Sequence, residues 1–245
     1  MISVFQIYFD ERSKQHLDAA FHPYLNDVKD DYFENSVIAK MHKLEGADYL
    51  GVTSWKQQQK THLTGKEIID FIQRDIDAGT EKDVYIYSPM QGIEPKRHHL
   101  PPYFSAIIHF PDIWNMHKNR YEQIDMDNHS LNNSKVLPFD LFDGKWQYCH
   151  CNYWIAKKHI FDEYCEKVLL PAIAFFERPE MKLHMPKWYI HSHEGRKCNS
   201  CCFTLEGLFG AFLAHSNYSF EYICKKRIRR KYEMVKINGY QIANN

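Results

Sequence analysis

The sequence predicts an α/β fold, because short β-rich apolar runs alternate with helical stretches along its first ninety residues. The runs lie at residues 2–9, 48–55 and 83–88. A helical pattern at 34–44 and a second one that begins at Thr64 separate them. Strands and helices of these lengths are typical of βαβ units. We therefore expect a Rossmann-type mixed sheet flanked by helices, whose first ninety residues form a nucleotide-binding half.

The helix that begins at Thr64 has the clearest local signal. Thr64 and Glu67 have the spacing of a capping box, in which a hydroxyl and a carboxylate each satisfy an orphan amide. Ile68 and Phe71 begin its apolar stripe, and Gly79 marks its expected end.

The second half of the chain is less regular. Residues 91–144 show a weak pattern and are interpreted as a lid or an acceptor-binding insertion. Further along, the patterns predict a strand at 146–155, a helix at 158–177 kinked at Pro171, a helix at 204–215 and a strand at 218–223. Without a repeat or a linker, we expect one domain over 1–223. A basic tail at 224–245 follows it.

Composition excludes several classes of protein. The 31 Lys and Arg residues balance the 31 Asp and Glu residues among 245, so no global field favours a nucleic-acid partner. The longest apolar run, residues 168–176, is interrupted by Pro171 and is too short to cross a bilayer. The apolar residues at the start follow no basic leader, which favours a strand over a signal peptide. The cysteines number seven, and this odd number favours reduced thiols over a disulfide framework. We expect a cytoplasmic protein.

No common catalytic motif is present. The chain lacks a Walker A loop, GxGxxG, HExxH and GxSxG, so site residues must be sought where predicted strands end. Tyr8 or Trp55 can stack on a base, Asp10 can bind a ribose hydroxyl, and Asn152 can hold a sugar or phosphate. In the alternative interpretation, the aromatic residues belong to the core and Asp10 caps the next segment. The candidates for binding a nucleotide ligand, which would be the donor of a transfer reaction, are Tyr8, Asp10, Ser54, Trp55, Ser88, Pro89 and Asn152.

Five segments together resemble the small GT-A-type glycosyltransferases of bacterial capsule and surface-polysaccharide loci. They are residues 6–10, 49–56, 84–89, 151–164 and 204–213. The resemblance implies a GT-A-like fold and transfer of a sugar from a nucleotide-diphosphate donor to a hydroxyl of a growing surface glycan. By this resemblance, the first ninety residues would bind the nucleotide sugar, and residues 91–223 would be the acceptor-binding half. The acceptor would be a glycan or a lipid-linked glycan, and the enzyme would act in the cytoplasm or at the inner face of the membrane.

The chain departs from metal-dependent members of that fold, which carry Asp-x-Asp after the strand corresponding to residues 84–87. Ser88-Pro89-Met90 stands there instead. Asp75 and Asp77 fall within a predicted helix, and Asp125 and Asp127 fall in a predicted polar loop. We therefore expect metal-independent transfer without a cofactor, in which basic groups hold the diphosphate. Candidate phosphate or acceptor contacts are Lys56, Arg97, His98, Trp154 and Lys157.

Glu206 is the predicted catalytic base. It shares a helix with Gly207 and Gly210, and glycines inside a helix indicate that a ligand or another stretch of backbone approaches closely. A carboxylate in that gap can take a proton from an acceptor hydroxyl during inverting transfer. The alternative is a first-turn glutamate placed favourably for the helix dipole.

The Cys and His residues and the basic run at 225–231 each allow an alternative interpretation. The Cys and His residues that could bind a structural zinc are Cys149, Cys151, His191, His193, Cys198, Cys201 and Cys202. They suggest a zinc-stabilised interaction or nucleic-acid-binding module as the second hypothesis, although ordinary thiols are preferred. The basic run at 225–231 suits either contact with anionic headgroups or a solvated terminal helix.

Overall fold

A computed structural model describes residues 1–26, 32–87, 111–147, 149, 151–184, 187–189 and 197–228. Strands in these ranges are β1 (Ile2–Tyr8), β2 (His22–Leu25), β3 (Tyr49–Ser54), β4 (Val84–Ile86), β5 (Trp154–Lys157), β6 (Lys187–Tyr189), β7 (Lys197–Asn199) and β8 (Phe220–Tyr222). The α-helices there are α1 (Glu11–Lys14), α2 (Glu34–Met41), α3 (Gln57–Thr61), α4 (Gly65–Asp77), α5 (Pro111–Asn133), α6 (Lys158–Tyr164), α7 (Leu170–Phe176), α8 (Pro179–His184) and α9 (Cys201–Ala214). A π-helical turn at Cys165–Leu169 joins α6 to α7.

Six strands form a mixed sheet in the order β2-β1-β3-β5-β4-β8, so the predicted mixed α/β architecture is confirmed. β1 pairs in parallel with β2 and β3, and β4 pairs in parallel with β8. β5 is antiparallel to both β3 and β4. The amino end of β5 therefore lies at the edge where the other five strands have their carboxyl ends. β6 and β7 form a separate antiparallel pair.

The two faces of the sheet pack against different helices. On one face, α2, the α6–α7 segment and α9 cover residues that include Leu50 and Trp154, whose ring stacks on Phe209 at 3.6 Å. On the other face, α4 buries Ile68 and Phe71 against strand residues that include Tyr85. The sheet is therefore the middle layer of three, and each of its faces is sealed by apolar side chains.

β3 is buried along its whole length, in agreement with its nearly continuous apolar sequence. Gly51 lets β5 lie against it, because a Cβ at this position would be 2.7 Å from Ile155 Cγ1 and 2.9 Å from the Trp154 carbonyl. The capping box at the start of α4 is also confirmed: Thr64 N donates to Glu67 Oε2 at 2.8 Å, and Glu67 N donates to Thr64 Oγ1 at 3.2 Å.

The predicted strand at 146–155 is wrong over most of its length. β5 begins only at Trp154, because Cys151 and Asn152 have φ angles of 60° and 55°, in the left-handed region that a strand cannot include. The turn that these two residues form becomes important at the candidate site.

The weakly patterned section contains a long helix, α5, so Asp125 and Asp127 do not lie in a polar loop as predicted. The buried face of α5 includes polar residues, which hides the helical period of apolar residues. Asp127 is 3% exposed and accepts hydrogen bonds from Ser200 Oγ at 2.6 Å and from Gln123 Nε2 at 2.9 Å.

Two helices in the second half differ in detail from the prediction. The helix predicted at 158–177 is present, but its distortion is the π-helical turn that precedes Pro171, a residue without an amide hydrogen to donate. α9 begins at Cys201, three residues before the predicted start at Thr204.

Residues 225–228, at the start of the predicted tail, are helical and pack on the folded body. Ile228 is 5% exposed and joins the core on the α4 face. Lys225 donates to Glu67, and Arg227 pairs with Glu221 at 3.3 Å. Among the residues that the structure describes, no helix has both the length and the apolar character needed to span a bilayer.

Candidate functional site

The candidate site lies at the edge of the sheet where β1 and β3 end and β5 begins. Ile7 is paired with Ser54 in the β1–β3 register, and Tyr8, the last residue of β1, follows this pair at the same edge. Tyr153 directly precedes β5, and its hydroxyl shares a hydrogen bond of 2.6 Å with Ser54 Oγ. The carboxyl edge of a parallel sheet is where open α/β folds collect ligands.

Four segments bring titratable side chains together at this edge. Lys56 and Lys60 come from the start and the end of α3, Glu34 from the first turn of α2, Cys151 from the turn before β5, and Glu206 from the second turn of α9. We call these five residues the Lys60 cluster. Every other member of the cluster lies within electrostatic range of the Lys60 ammonium. The four segments are far apart in sequence, so only the fold assembles them.

Lys60 is the centre of the cluster. Its Nζ donates to Cys151 Sγ at 3.4 Å and lies 5.6 Å from the centroid of the Tyr153 ring. Burial lowers the pKa of the Lys60 ammonium, but the interaction with Cys151 and the charges of Glu206 and Glu34 outweigh this and raise the pKa overall. Lys60 therefore stays positively charged across the physiological range.

Glu206 is half-buried. Burial of its carboxylate and the nearby charge of Glu34 raise its pKa, while Lys60 lowers it, and the result is a pKa of about 8. A carboxylic acid with this pKa both gains and loses a proton close to neutral pH, which is the property of a general acid or base.

The two glycines beside Glu206 are explained by the protein itself. A Cβ at Gly210 would lie 2.2 Å from the carbonyl oxygen of Gln147, whose amide donates to the Gly210 carbonyl at 3.1 Å. A Cβ at Gly207 would lie 3.4 Å from the Trp146 ring. The close approach predicted from the glycines is therefore made by residues 146–147 rather than by a gap left for a ligand.

At the same edge, the described cations Lys60 and Arg12 lie within electrostatic range of Lys56. Burial lowers the pKa of Lys56, and the neighbouring charges of Lys60 and Arg12 lower it further. An anion placed among these groups would reverse that mutual repulsion. Lys60 and Arg12 were not predicted as site residues. The sequence signal for Lys60 is its position four residues after Lys56 on the helix that follows β3, which places both side chains on one helical face.

The predicted aromatic residues differ in how much ring they present. Trp55 is only 9% exposed, its ring stacks on His16 at 5.3 Å, and the Lys56 ammonium lies 4.9 Å from its centroid. Tyr8 is half-buried, with the Lys14 ammonium 6.0 Å from its ring. Tyr8 therefore has more ring surface available for a base than Trp55.

Asp10 and Asn152 are both engaged with the protein. Asp10 is the N-cap of α1, where its Oδ1 accepts from Ser13 N at 2.7 Å, which agrees with the alternative interpretation of this residue. Asn152 is 1% exposed, and its Nδ2 donates to Asn35 Oδ1 at 3.2 Å. The Asn152 side chain therefore binds another part of the chain.

The structure places two predicted contact residues away from this edge. Trp154 is 1% exposed and lies in the core against Phe209. Lys157 pairs with Asp83 at 3.0 Å and lies at the opposite edge of the sheet, opposite Tyr49 at the start of β3. There it lines a separate cavity of about 650 Å³.

The remaining predicted residues divide into two groups. Those that fall outside the described residues are Ser88, Pro89, Arg97, His98, His191, His193 and the side chain of Cys198. Cys149, Cys151, Cys201 and Cys202 are reduced cysteines, and burial raises the pKa of the Cys149 thiol. Within the described ranges, no group of three or more His, Cys, Asp or Glu side chains has an arrangement that could hold a metal ion.

Comparison of the chain with protein-family models, with curated proteins and with solved structures finds no match. The chemistry of the Lys60 cluster is what indicates a function. It combines an acid that ionises near neutral pH with cations suited to an anionic group, at the edge of the sheet where ligands bind.

Proposed function

We propose that this chain is a glycosyltransferase with a GT-A-like fold, which transfers a sugar from a nucleotide-diphosphate donor to a hydroxyl of a growing surface glycan. The observation that carries the proposal is the position of Glu206, with its pKa of about 8, beside Lys60 at the carboxyl edge of the parallel strands. This combination favours proton abstraction next to a departing anion.

The donor would bind with its diphosphate near Lys56, Lys60 and Arg12. These three cations are close enough to one another to lower the pKa of Lys56, and binding a diphosphate would relieve their repulsion. They would also stabilise the charge that develops on the leaving group. A divalent metal has this role in metal-dependent GT-A enzymes. Tyr8 lies at the same edge and offers a half-buried ring to the base.

The acceptor would react through a single displacement. Its hydroxyl oxygen forms a bond to the anomeric carbon, and the bond from that carbon to the diphosphate oxygen breaks. The diphosphate leaves with the bonding electron pair, and the ionised Glu206 carboxylate takes the hydroxyl proton. Attack from the side opposite the leaving group inverts the anomeric configuration.

The acceptor would be a glycan or a lipid-linked glycan, which places the reaction in the cytoplasm or at the inner face of the membrane. The basic run at 225–231 would be the contact with anionic headgroups in that case. In its described part, Lys225 and Arg227 already pair with Glu67 and Glu221, so the charge available to lipid is smaller than the sequence suggests.

A thermal-shift screen tests the proposal directly. Sugars linked to uridine, guanosine, cytidine and thymidine diphosphate are added to the protein in EDTA. A ligand at a hundred times its Kd adds about 2.7 kcal/mol of stability, so one nucleotide class should raise Tm by several degrees. Lys56→Met combined with Lys60→Met should abolish the shift. Lys167→Met, an exposed lysine paired with Glu163, is the matched control and should keep it.

Two results would contradict the proposal. One is the absence of a shift with every nucleotide sugar. The other is an unchanged shift in the protein that lacks both Lys56 and Lys60.

A further inference from the structure

Two buried amides connect the segments that carry the Lys60 cluster. Asn152 Nδ2 donates to Asn35 Oδ1 at 3.2 Å. Asn35 Nδ2 in turn donates to the carbonyl of Tyr32 at 3.2 Å and to that of Cys202 at 3.4 Å. Each of the two asparagines is 1% exposed. We call this network the Asn35–Asn152 clamp.

The clamp contacts each segment next to a member of the cluster. Asn35 follows Glu34 in α2, and Asn152 follows Cys151 in the turn before β5. Cys202 lies four residues before Glu206, so its carbonyl is the backbone acceptor of the Glu206 amide in α9. A displacement at the clamp would therefore change the distances among the Glu34 carboxylate, the Glu206 carboxylate and the Cys151 thiol. The Cys151 thiol accepts the hydrogen bond of the Lys60 ammonium.

Backbone strain is concentrated around the same residues. In the part of the chain that the structure describes, the non-glycine residues with positive φ are Phe33, His62, Lys135, Cys151 and Asn152. All of them except Lys135 lie within two residues of a cluster member. Left-handed conformations of such residues persist only where the surrounding structure fixes them, and they gather at functional sites.

The side chain of Asn152 is costly for the fold. Its Oδ1 is buried and has no hydrogen-bond partner among the described residues. A buried amide with one unsatisfied acceptor stabilises the fold poorly, whereas its donor fixes a defined geometry. The clamp is better explained by the arrangement that it holds than by the stability that it adds.

We infer that Asn35 and Asn152 are positioning residues for the proposed transfer reaction, holding Glu34, Cys151 and Glu206 at the separations that the reaction needs. The inference rests on the proposed function for the reaction that it serves. It also replaces the expectation that Asn152 contacts a sugar or a phosphate directly.

Asn152→Gly is the informative variant. Glycine accepts the φ of 55° without strain, so the change removes the clamp donor and the unsatisfied acceptor while the turn remains possible. Asn35→Ala breaks the same network from α2. Lys135→Gly is the control, because it replaces an exposed residue with a φ of 57° outside the cluster.

The first measurement is the titration of Glu206 without substrate, by ¹³C NMR of labelled glutamate carboxyls, with Glu206→Gln to assign the signal. Loss of the clamp should admit water to the carboxylate and lower its pKa from about 8 by about one unit. Both clamp variants should show this change, and Lys135→Gly should not. Because both amides belong to one network, the double variant should change little more than either single one.

The second measurement is transfer kinetics. Loss of positioning should lower kcat by about tenfold while the KM for the donor changes less than about twofold. The inference is overturned if Asn152→Gly and Asn35→Ala keep the wild-type titration and kcat, or if their effects are fully additive. If the wild-type protein transfers no sugar, the proposed function fails, and the titration alone still decides whether the clamp positions Glu206.

Discussion

Lys60 donates a hydrogen bond to Cys151 across 3.4 Å, and this contact joins the helix that follows β3 to the turn that precedes β5. Burial, together with the charge of Glu206, raises the pKa of the Cys151 thiol to about 12. The thiol is therefore neutral at physiological pH and does not cancel the charge of Lys60. That charge remains available to the carboxylates and to an anionic ligand.

Replacing Lys60 by Met should raise the pKa of Glu206 above about 8, because the lysine charge is what opposes burial and Glu34 at this carboxylate. Affinity for the nucleotide-diphosphate donor should fall by about tenfold, since one charge-assisted contact is lost. NMR titration and calorimetry measure the two effects. Lys167→Met should change neither quantity, and an unchanged Glu206 titration in Lys60→Met would show that the two groups do not interact.

The pKa of Glu206 also predicts how stability depends on pH. The folded protein holds the Glu206 proton up to about pH 8, whereas the unfolded chain releases it near the ordinary value of 4.5. The stability that protonated Glu206 contributes is therefore fully present below about pH 4.5, and it is lost as the pH rises toward 8. The slope is at most about 1.4 kcal/mol per pH unit.

Glu206→Gln removes this dependence, so the variant should gain stability relative to the wild type between about pH 5 and pH 8, by about 1 to 3 kcal/mol. Urea unfolding at both ends of that range measures the difference. Parallel pH profiles for the two proteins would mean that Glu206 ionises normally in the folded state.

Gly210 and Gly207 should respond differently to alanine. Gly210→Ala places a Cβ 2.2 Å from the Gln147 carbonyl and should destabilise the protein by about 1 to 3 kcal/mol. Gly207→Ala meets only the Trp146 ring at 3.4 Å and should leave stability unchanged or raise it through helix propensity. Chemical denaturation compares the pair, and equal effects would contradict the packing at residues 146–147.

Local signals were enough to predict part of the fold. The capping box of Thr64 and Glu67 acts within one turn of helix, and β1, β3 and β4 are short apolar runs, so each could be found from nearby residues. The turn at Cys151 could not be found in this way, because its left-handed backbone depends on contacts with distant segments. The sequence does not predict α5, because the buried face of this helix includes Asp127, whose partner Ser200 lies 73 residues away.

The candidate site was only partly accessible from the sequence. The neighbouring glycines predict a close approach at Glu206, and the structure explains those glycines by residues 146–147. The raised pKa of Glu206 has a different cause, its burial near Glu34 and Lys60. The Lys60 cluster joins four segments, so spacing along the chain reveals only its Lys56–Lys60 pair.

Donor turnover should continue in EDTA. Ser88-Pro89-Met90 stands where an acidic motif would bind a divalent ion. Each of the two Asp-x-Asp pairs elsewhere in the chain has one aspartate that serves the core: Asp127 accepts from Ser200, and Asp75 accepts from Tyr85 at 3.1 Å. Release of nucleotide diphosphate, measured with EDTA and with added Mn²⁺ or Mg²⁺, should agree within about twofold. Strict dependence on the metal would show that acidic ligands elsewhere in the chain act in catalysis.

The most direct test of the proposed mechanism is the rate at which Glu206→Gln releases nucleotide diphosphate from the nucleotide sugar that raises Tm. Water is the acceptor when no glycan is supplied. The substitution keeps the size and polarity of the side chain and removes the base, so the rate should fall by about a hundredfold or more. Donor binding should persist, and Glu180→Gln, an exposed glutamate on α8, should react like the wild type. If Glu206→Gln instead lowers Tm and turns over the donor at the wild-type rate, Glu206 is structural and the proposed mechanism is wrong.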